Sequence, residues 1–393
     1  MQKINDIQKA VLELGLDGWL FYDVWNKDPL GYRILDLDPK KLTSRRWFYY
    51  IPNIGLPLKL VHKIEASRLD SLPGQTITYS RWEEMHAKLR DMITVDSRVA
   101  MQYSPDNQLF NVSYVDAGTI ELIRSMGVKV VSSADLIQQF LSKIDTVGIS
   151  LHKEASQKVQ SIKDAAFQMI FEAIRAGSPI SEIDAQTFII DEFSKQGLTC
   201  EGLKPVVAIN DHAADPHFEV TPSANKLIKA GDRILIDLWA KLDNPKGIYY
   251  DITWCGYAGN VPPVEYEEIF KVTVRARNAA KALVVDRLLQ GKKVYGWEVD
   301  DACRAEVKNA GYGDYFTHRT GHSIDVKVHG SGVNIDNYET KDHREITLGT
   351  CFSIEPGIYM GDIGVRSEIN LLVDNQGHVQ VYGDEQEKLL LMS

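Results

Sequence analysis

Cysteine is scarce in this sequence, and its placement excludes two classes of protein. The 393 residues include only four cysteines, and no two of them form a C-x-x-C pair. Four residues spaced so widely match neither a disulfide scaffold nor the ligand spacing of a structural zinc site. We therefore expect reduced thiols and a cytoplasmic protein. The four residues are Cys200, Cys255, Cys303 and Cys351.

Basic clusters and long apolar runs are also missing. The chain has 44 Lys and Arg against 54 Asp and Glu, a formal net charge of −10, and no basic block. This balance argues against nucleic acid or an anionic membrane as the main partner. No apolar run approaches the roughly 18–20 residues of a membrane span, and the N-terminal segment lacks the apolar stretch of a signal peptide. We expect an ordinary soluble protein.

The length and the pattern of the chain indicate two domains. A chain of 393 residues exceeds what one hydrophobic core usually contains. In residues 1–148, strand-like segments such as WLFYD and RRWFYYIP alternate with amphipathic helical stretches, which predicts an α/β domain. Residues 149–393 are expected to form a second domain with α+β architecture.

A faint internal repeat occurs in the second part of the chain. Two long helical stretches end at Gly177 and Gly291, and the shorter helical stretch that follows each of them ends at Gly197 and Gly311. Gly291 lies 114 residues after Gly177, and Gly311 lies 114 residues after Gly197. Glycine is a frequent residue just after a helix. Strand-like sequence follows each unit. The repeat favours two related α/β halves around a common core, with a site where they meet.

Two aspartates occupy a predicted hairpin in the second domain. The segment RILIDLWAKL is followed by the turn signal DNPKG and then by IYYDITWCGY. If Asn244 is the centre of the hairpin, Asp237 and Asp251 lie directly opposite each other on one face. Facing carboxylates repel, and the repulsion grows as water is excluded. The pair therefore requires a shared proton, a basic partner or a metal ion.

A second pair of carboxylates occurs near the end of the chain, in SIEPGIYMGDIGVRSEINLLV. Glu355 and Glu368 flank a Gly361-Asp362 turn at equal distances, so they would also face each other in a two-residue hairpin. Four carboxylates and a histidine form an oxygen-rich ligand set. Such a set suits manganese, cobalt or zinc in a two-metal centre, since carboxylates can bridge two ions.

Together these segments resemble the dinuclear pita-bread metallopeptidases, which include prolidase, aminopeptidase P, methionine aminopeptidase and the creatinase-like proteins. The resemblance covers about residues 150–385 and is carried by IDLW, YYDIT, TGHSI, SIEPGIY and VRSE, in that order, with ADPH resembling the family's substrate-binding segment. The N-terminal part is similar to the smaller domain of the prolidase, aminopeptidase P and creatinase branch. The resemblance implies an α/β creatinase-like N-terminal domain and an α+β pita-bread catalytic domain.

The resemblance implies a metal-binding residue at each of five positions. Asp237 would chelate one of two divalent ions, Asp251 and Glu368 would bridge both, and His322 and Glu355 would complete the coordination of the other. Manganese is the expected metal, with cobalt and zinc as alternatives. A hydroxide that bridges the two ions would attack the scissile carbonyl.

Other roles are also implied by the resemblance. Glu355 would accept the proton and return it. His217 and His329 would bind the substrate and donate hydrogen bonds to the developing oxyanion. Arg366 would orient a ligand carboxylate. The stretch RTGHSIDVKVHG alternates like a strand, which would send His322 and His329 to opposite faces. We therefore expect residues 321–323 to lie outside regular strand geometry, with His329 on the strand itself.

The resemblance is closest to an Xaa-Pro dipeptidase, a prolidase-like enzyme that acts on small peptides and forms a homodimer. Three alternatives stay open: an aminopeptidase P-like enzyme for longer peptides, a creatinase-like small-molecule hydrolase, and a binding protein that retains the fold without catalysis. Many family members have glycine where this chain has Asp325, and glutamate where it has Gly330. Lys204, Lys327 and Arg344 are candidate partners of a substrate carboxylate. His318 is expected to be structural or exposed.

Overall fold

A computed structural model describes residues 2–392 and contains two compact units, divided after Leu141. The domain boundary expected from the sequence, between residues 148 and 149, falls inside a helix that spans Thr146–Arg175. The helix begins where the carboxylate of Asp145 accepts a hydrogen bond from the Gly148 N–H at 2.8 Å. This cap explains why the helix starts a few residues before the expected boundary.

The first unit is a mixed six-stranded sheet with helices, in the order β4-β3-β2-β1-β5-β6. The α/β character expected for this part of the chain is confirmed. Its helices are α1 (Gln2–Glu13), α2 (Pro29–Leu35), α3 (Trp82–Met92), α4 (Ala117–Ser125) and α5 (Ala134–Leu141), and its strands are β1 (Gly18–Asp23), β2 (Trp47–Pro52), β3 (Leu58–His62), β4 (Gln75–Tyr79), β5 (Arg98–Met101) and β6 (Lys129–Ser132).

The apolar run in β1 shows why this sheet is covered on both faces. Trp19 and Phe21 belong to one hydrophobic cluster, whereas Leu20 and Tyr22 belong to another. Successive side chains of a strand point to opposite faces. A strand that is apolar at every position therefore needs a hydrophobic layer on each side, and each cluster supplies one.

Within the described residues, the second unit contains four α-helices and three sheets, which agrees with the expected α+β architecture. One sheet has the order β17-β10-β9-β7, with β8 also paired to β9; another has the order β11-β12-β15-β16; and β13 pairs with β14. The helices are α6 (Thr146–Arg175), α7 (Glu182–Lys195), α8 (Val264–Leu289) and α9 (Gly296–Asn309), and the strands are β7 (Leu198–Thr199), β8 (Val206–Ile209), β9 (Arg233–Leu242), β10 (Tyr250–Tyr257), β11 (Ser323–Ile324), β12 (Thr350–Ile354), β13 (Gly357–Met360), β14 (Ile363–Arg366), β15 (Ile369–Val373), β16 (Val379–Gln380) and β17 (Leu390–Leu391).

The internal repeat is visible as two helix pairs. Helices α6 and α7 pack on β8, β9 and β10 in one hydrophobic cluster, and α8 and α9 share another cluster with β12 and β15. The glycine after each of the four helices has a positive φ, between 64° and 88°, a conformation that residues with a Cβ rarely adopt. The glycine spacing in the sequence therefore marked real helix ends.

The predicted register of the first hairpin is wrong, because each residue of β9 pairs with a β10 residue two positions further along the chain than expected. In the β9–β10 ladder, Asp237 pairs with Thr253 and Asp251 pairs with Trp239. The two aspartates share one face but lie diagonally rather than directly opposite. The physical reason is the turn: the Gly247 N–H donates to the Asn244 carbonyl at 2.8 Å, so the reversal is centred after Asn244 rather than on it.

The register of the second hairpin agrees with the sequence. Gly357 pairs with Arg366 around the two-residue turn Gly361-Asp362, and Ile354 pairs with Ile369 further from the turn. Glu355 and Glu368 lie in the gap between these two ladders, at positions that continue the same register. Pro356, which cannot donate a ladder hydrogen bond, interrupts the pairing there.

The strand expected over residues 324–329 is not formed, and this expectation is wrong. Only Ser323 and Ile324 form a strand, β11, which pairs with β12, so the expectation that residues 321–323 lie outside strand geometry is also wrong for Ser323. The chain then folds back, because the Gly330 N–H donates to the Ser323 carbonyl at 2.6 Å and the Asp325 N–H donates to the Lys327 carbonyl at 3.0 Å. Residues 325–330 therefore form a turn, and His329 lies on that turn rather than on a strand.

The helices of the described residues do not meet the requirements of a membrane span. Within residues 2–392, none combines the length and the apolar character that crossing a bilayer demands.

Candidate active site

The seven site residues predicted from the sequence line one cavity of the second unit. Its volume is about 770 Å³. The two sheets that carry the residues are joined beside it, since the Asp251 N–H donates to the Asn370 side chain at 2.9 Å and Asn370 donates back to the Asp251 carbonyl at 2.7 Å. The seven residues are His217, Asp237, Asp251, His322, His329, Glu355 and Glu368.

Three of the candidate ligands form a compact group. The metal-binding atoms of Asp251, His322 and Glu368 all lie within 4.8 Å of one another, and the three side chains are buried. The His322 Nε2 lies 3.5 Å from an Asp251 oxygen and 3.3 Å from Glu355 Oε1. Its Nδ1 faces the Ser323 carbonyl at 3.1 Å, so the other ring nitrogen is aimed at the carboxylates.

Ser353 holds His322 and Glu355 side by side. Its hydroxyl accepts a hydrogen bond from the His322 N–H at 2.9 Å and donates one to Glu355 Oε1 at 3.0 Å. Its backbone N–H donates to the His322 carbonyl at 2.9 Å. One residue near the end of β12 therefore fixes both the histidine and the glutamate, which is the kind of support that metal ligands commonly have.

Asp237 reaches the group through Arg366. The guanidinium of Arg366 donates to Asp237 Oδ2, and its Nε donates to the Thr253 hydroxyl at 2.9 Å. Thr253 in turn donates to Glu368 Oε2 at 2.8 Å. The expected contact between Arg366 and a candidate ligand carboxylate is confirmed. Arg366 and Thr253 therefore link Asp237 on the first hairpin to Glu368 on the second.

The unsatisfied oxygens at this site fit a metal ion. In the described part of the chain, Asp237 Oδ1, Asp251 Oδ1 and Glu368 Oε1 are buried and accept no hydrogen bond. A buried carboxylate oxygen without a donor is costly unless a cation replaces the lost water. Three such atoms, together with His322 and Glu355, form the kind of donor set that manganese, cobalt or zinc accepts.

The electrostatics of the cluster agree with this reading. Burial raises the pKa of Asp237 to about 7, although the Arg366 guanidinium opposes the shift. Burial, followed by the charge of Asp251, raises the pKa of Glu368 well above its usual value. For Glu355 the effect of burial is outweighed by the positive charges of His322, His318 and Arg366, so its pKa is lowered. Carboxylates with raised pKa values lack sufficient positive charge nearby.

The two histidines of RTGHSIDVKVHG converge despite the missing strand. The ring centroids of His322 and His329 are 4.4 Å apart with nearly perpendicular planes. The charge of His322, followed by burial, lowers the pKa of His329 to about 3. Burial lowers the pKa of His322, but its hydrogen bond to Asp251 and the charge of Glu355 raise it overall. His217 lies on the rim of the cavity and is exposed.

The two positions that depart from the family pattern shape the turn below His329. The buried Asp325 carboxylate accepts hydrogen bonds from the Lys327 N–H at 2.7 Å and the Ser331 N–H at 3.1 Å. A Cβ at Gly330 would lie 2.8 Å from the Ser323 hydroxyl and 3.0 Å from the Asp325 nitrogen. A glutamate therefore does not fit at position 330 in this turn, and Asp325 organises the turn instead.

The candidate partners of a substrate carboxylate differ in whether a carboxylate of the protein already binds them. The buried Arg344 forms an ion pair with Asp342 at 2.6 Å, and Lys327 forms one with Glu201 at 2.5 Å. Both are occupied within the protein. Lys204 is exposed and lines the cavity, as does Arg319, whose guanidinium lies 3.9 Å from Glu339.

Sequence reasoning missed a polar chain beside the cluster. His318, expected to be structural or exposed, lines the cavity, and its Nε2 lies 2.9 Å from the Tyr359 hydroxyl. The Tyr359 hydroxyl also accepts a hydrogen bond from Arg366 at 3.0 Å. Thr253 and Tyr359 have no motif of their own. The signal available for Thr253 was its position opposite Asp237, which the correct hairpin register reveals.

The geometry of the site agrees with the family comparison. The model of metallopeptidase family M24 matches residues 154–375, more than half of the chain. The chain belongs to metallopeptidase family M24. All five candidate metal ligands lie inside the range that this metallopeptidase family model matches. The family resemblance inferred from the sequence motifs is therefore confirmed.

Two curated relatives are similar to this chain over part of their length. The putative dipeptidase YkvY of Bacillus subtilis (strain 168) is 30% identical over 257 residues, which cover 64% of this chain and 64% of that protein. The Xaa-Pro dipeptidase of Lactobacillus helveticus is 32% identical over 213 residues, which cover 52% of this chain and 51% of that protein. The matches therefore span about half to two thirds of these relatives.

The structural match of this M24 protein to a solved structure extends over its whole length. Dipeptidase PepE from Mycobacterium ulcerans matches with a TM-score of 0.70 over 100% of this chain and 97% of that chain, at 20% sequence identity. At this identity the likeness shows the fold alone. It supports the expected combination of an N-terminal α/β unit with a pita-bread unit.

Proposed function

We propose that this M24 protein hydrolyses Xaa–Pro bonds and is a prolidase-like dipeptidase that depends on two divalent metal ions. The observation that carries the proposal is the set of three buried carboxylate oxygens without hydrogen-bond donors, from Asp237, Asp251 and Glu368, at the cavity that also contains His322 and Glu355. The name of the Lactobacillus helveticus relative supports the substrate class. A volume of about 770 Å³ supports a small substrate, since small-molecule pockets range from about 300 to 1,000 Å³.

The metal ligands would be Asp237, Asp251, His322, Glu355 and Glu368. Manganese is the proposed metal because carboxylate oxygens outnumber nitrogen ligands. A pair of bound divalent ions supplies a nucleophilic water at neutral pH and polarises the scissile carbonyl. Arg366 keeps Asp237 oriented, and Thr253 does the same for Glu368 through its 2.8 Å hydrogen bond.

The protein side chains then divide the remaining work. Glu355 accepts the proton of the attacking water and returns it to the proline nitrogen as the C–N bond breaks. Ser353 holds this carboxylate in place with its 3.0 Å hydrogen bond. His329 and His217, which line the same cavity, orient the substrate and donate hydrogen bonds to the carbonyl oxygen as it gains negative charge.

A hydrolysis assay tests the proposal. Metal-stripped protein is reloaded with manganese, cobalt or zinc and incubated with Xaa-Pro dipeptides and with longer Xaa-Pro-Xaa peptides. We expect cleavage of the dipeptides only, with the highest rate in manganese, because the small cavity favours a short substrate. The release of free proline is measured against the metal-stripped sample.

Three other outcomes of the hydrolysis assay would each change the proposed function. Cleavage of longer peptides alone would replace the dipeptidase with an aminopeptidase P-like enzyme. Failure of all three metal-loaded samples on every peptide would contradict the peptidase proposal. Hydrolysis of creatine-like guanidino compounds without peptide cleavage would indicate the small-molecule hydrolase.

A homodimer that works in the cytoplasm is the proposed state of the protein. Its four cysteines are free thiols, which suits a reducing compartment. The net charge of −10 disfavours nucleic acid or an anionic membrane as a partner. Light scattering after size-exclusion chromatography tests the assembly, and a monomer at micromolar concentration would contradict it.

A further inference from the structure

A three-residue ion cluster lies next to the cavity, outside the candidate ligands. The carboxylate of Glu201 binds the Lys241 ammonium at 2.7 Å and the Lys327 ammonium at 2.5 Å. Lys241 lies on β9 with its side chain 7% exposed. Its ammonium also donates to the Val326 carbonyl at 2.7 Å and lies 5.1 Å from the centre of the Tyr249 ring.

This cluster holds two segments that line the cavity. Gly202–Val206 follow directly on Glu201 in the chain, and Val328 and His329 belong to the turn that Lys327 also belongs to. Lys241 grips the same turn at Val326. Glu201 and Lys241 therefore connect the 202–206 segment, β9 and the turn that carries His329.

The backbone at Glu201 shows that the arrangement has a cost. Glu201 has a φ of 50° and Gly202 a φ of 86°. For a residue other than glycine, such a conformation is strained and persists where surrounding contacts enforce it. Here the Glu201 N–H donates to the Thr199 hydroxyl at 3.1 Å and the Leu203 N–H donates to the Cys200 carbonyl at 3.0 Å. Burial would raise the pKa of Glu201, but the two ammonium groups lower it overall, so the carboxylate is charged at neutral pH.

The inner side of the turn is held separately by Asp325, which accepts hydrogen bonds from the Lys327 and Ser331 N–H groups. Those contacts fix the shape of the turn, and the Tyr249 N–H, which donates to the Asp325 carbonyl at 3.1 Å, holds its first residue beside β10. The outer side is tied to β9 by Lys241 and Glu201. Loss of the Glu201 charge therefore leaves the turn folded but less firmly placed.

We propose that Glu201 is a positioning residue that, through Lys241 and Lys327, places His329 in the active-site cavity. The inference rests on the proposed function for its effect on turnover, but its structural part stands without it. Glu201 touches neither the candidate ligands nor the cavity interior, so it acts through the turn. Two measurements test the placement of the turn and its effect on turnover separately.

The first measurement is hydrogen exchange, which needs no substrate. Glu201→Gln keeps the shape and the backbone demand of the side chain and removes its charge. We expect the amides of residues 326–330 to exchange about tenfold faster, while those of β12 and β15 are unchanged, since local opening follows the loss of local contacts. Glu192→Gln is the matched control, because Glu192 pairs with Lys195 at 2.7 Å on α7. Unchanged exchange in Glu201→Gln would overturn the inference, whatever the activity.

The second measurement is a double-mutant cycle with His329→Ala. We expect Glu201→Gln to lower kcat about tenfold at unchanged metal content, and to lower it less than twofold when His329 is already alanine, because coupled residues are not additive. An equal loss in both backgrounds would overturn the role of His329 in this inference. An inactive wild-type protein would contradict the proposed function instead, and the exchange measurement would still decide the positioning role.

Discussion

At the scale of single residues, the candidate ligands differ in how well the protein alone satisfies them. Asp237 has Arg366 and Glu368 has Thr253, each at one oxygen, whereas among the described residues the side chain of Asp251 has only His322, at 3.5 Å. A carboxylate with little support from the protein depends most on a bound cation. Asp251 is therefore the most sensitive test of the metal site.

We predict that Asp251→Asn removes bound metal and activity together. Burial raises the pKa of Asp251, so an uncharged replacement should leave the metal-free protein at least as stable as the wild type. Metal content is measured by elemental analysis and stability by thermal unfolding. Asp243→Asn, in the exposed turn between β9 and β10, is the control. A metal-replete Asp251→Asn variant would exclude Asp251 as a ligand.

We predict the opposite division for His329→Ala: full metal content and a fall in kcat of about 10²–10³-fold, the cost of losing one oxyanion donor. His343→Ala, at an exposed position, should leave both quantities unchanged. Steady-state kinetics and metal analysis of the same samples check the prediction. Loss of metal in the His329 variant would make this histidine part of the metal site.

At the scale of elements, the turns determined whether strands and their register could be predicted correctly from the sequence. The Gly361-Asp362 turn has two residues, so counting outward from it gave the correct register for Glu355 and Glu368. The longer connection between β9 and β10 has its reversal after Asn244, and counting from Asn244 shifted the partners of Asp237. Strand alternation over residues 324–329 was misleading because side chain contacts of Asp325 bend the chain there.

The turn at residues 325–330 is predicted to tolerate no side chain at Gly330. In Gly330→Ala, the new methyl group would meet the Ser323 hydroxyl at 2.8 Å and backbone atoms at 3.0 and 3.1 Å. We expect a loss of about 1–3 kcal/mol in the free energy of unfolding, as for other overpacked sites, and a lower kcat/KM. Denaturant unfolding measures the first quantity. Gly118→Ala in α4, where a Cβ meets only an Asp116 oxygen at 3.4 Å, should be neutral or stabilising; equal effects of both variants would contradict the role of this turn.

At the scale of the whole molecule, the two helix pairs of the second unit bring their sheets together at the site. Asp237 and Asp251 come from the sheet that packs on α6 and α7, whereas His322, Glu355 and Glu368 flank strands of the other sheet. A bound metal would therefore cross-link the two halves. The N-terminal unit contributes none of the seven predicted site residues.

Metal binding should therefore stabilise the second unit selectively. A ligand present at about 100 times its Kd stabilises the folded state by about 2.7 kcal/mol. We expect manganese to slow hydrogen exchange in β9, β10, β12 and β15 and to leave β1–β6 unchanged. Asp251→Asn with manganese is the control and should show no slowing. Equal protection of both units would place the metal elsewhere.

The sequence by itself determined the family, the five candidate ligands and most helices and strands, because each depends on residue types at fixed local spacings. Tertiary structure decided what those spacings could not: the diagonal placement of Asp237, the inclusion of His318 and Tyr359, and the attachment of the His329 turn to Glu201. The diagonal placement follows from the turn after Asn244, whereas the His318–Tyr359 and Glu201–Lys327 contacts join residues 41 and 126 positions apart. Contacts over such separations are set by how the two halves pack, and no local periodicity reports that packing.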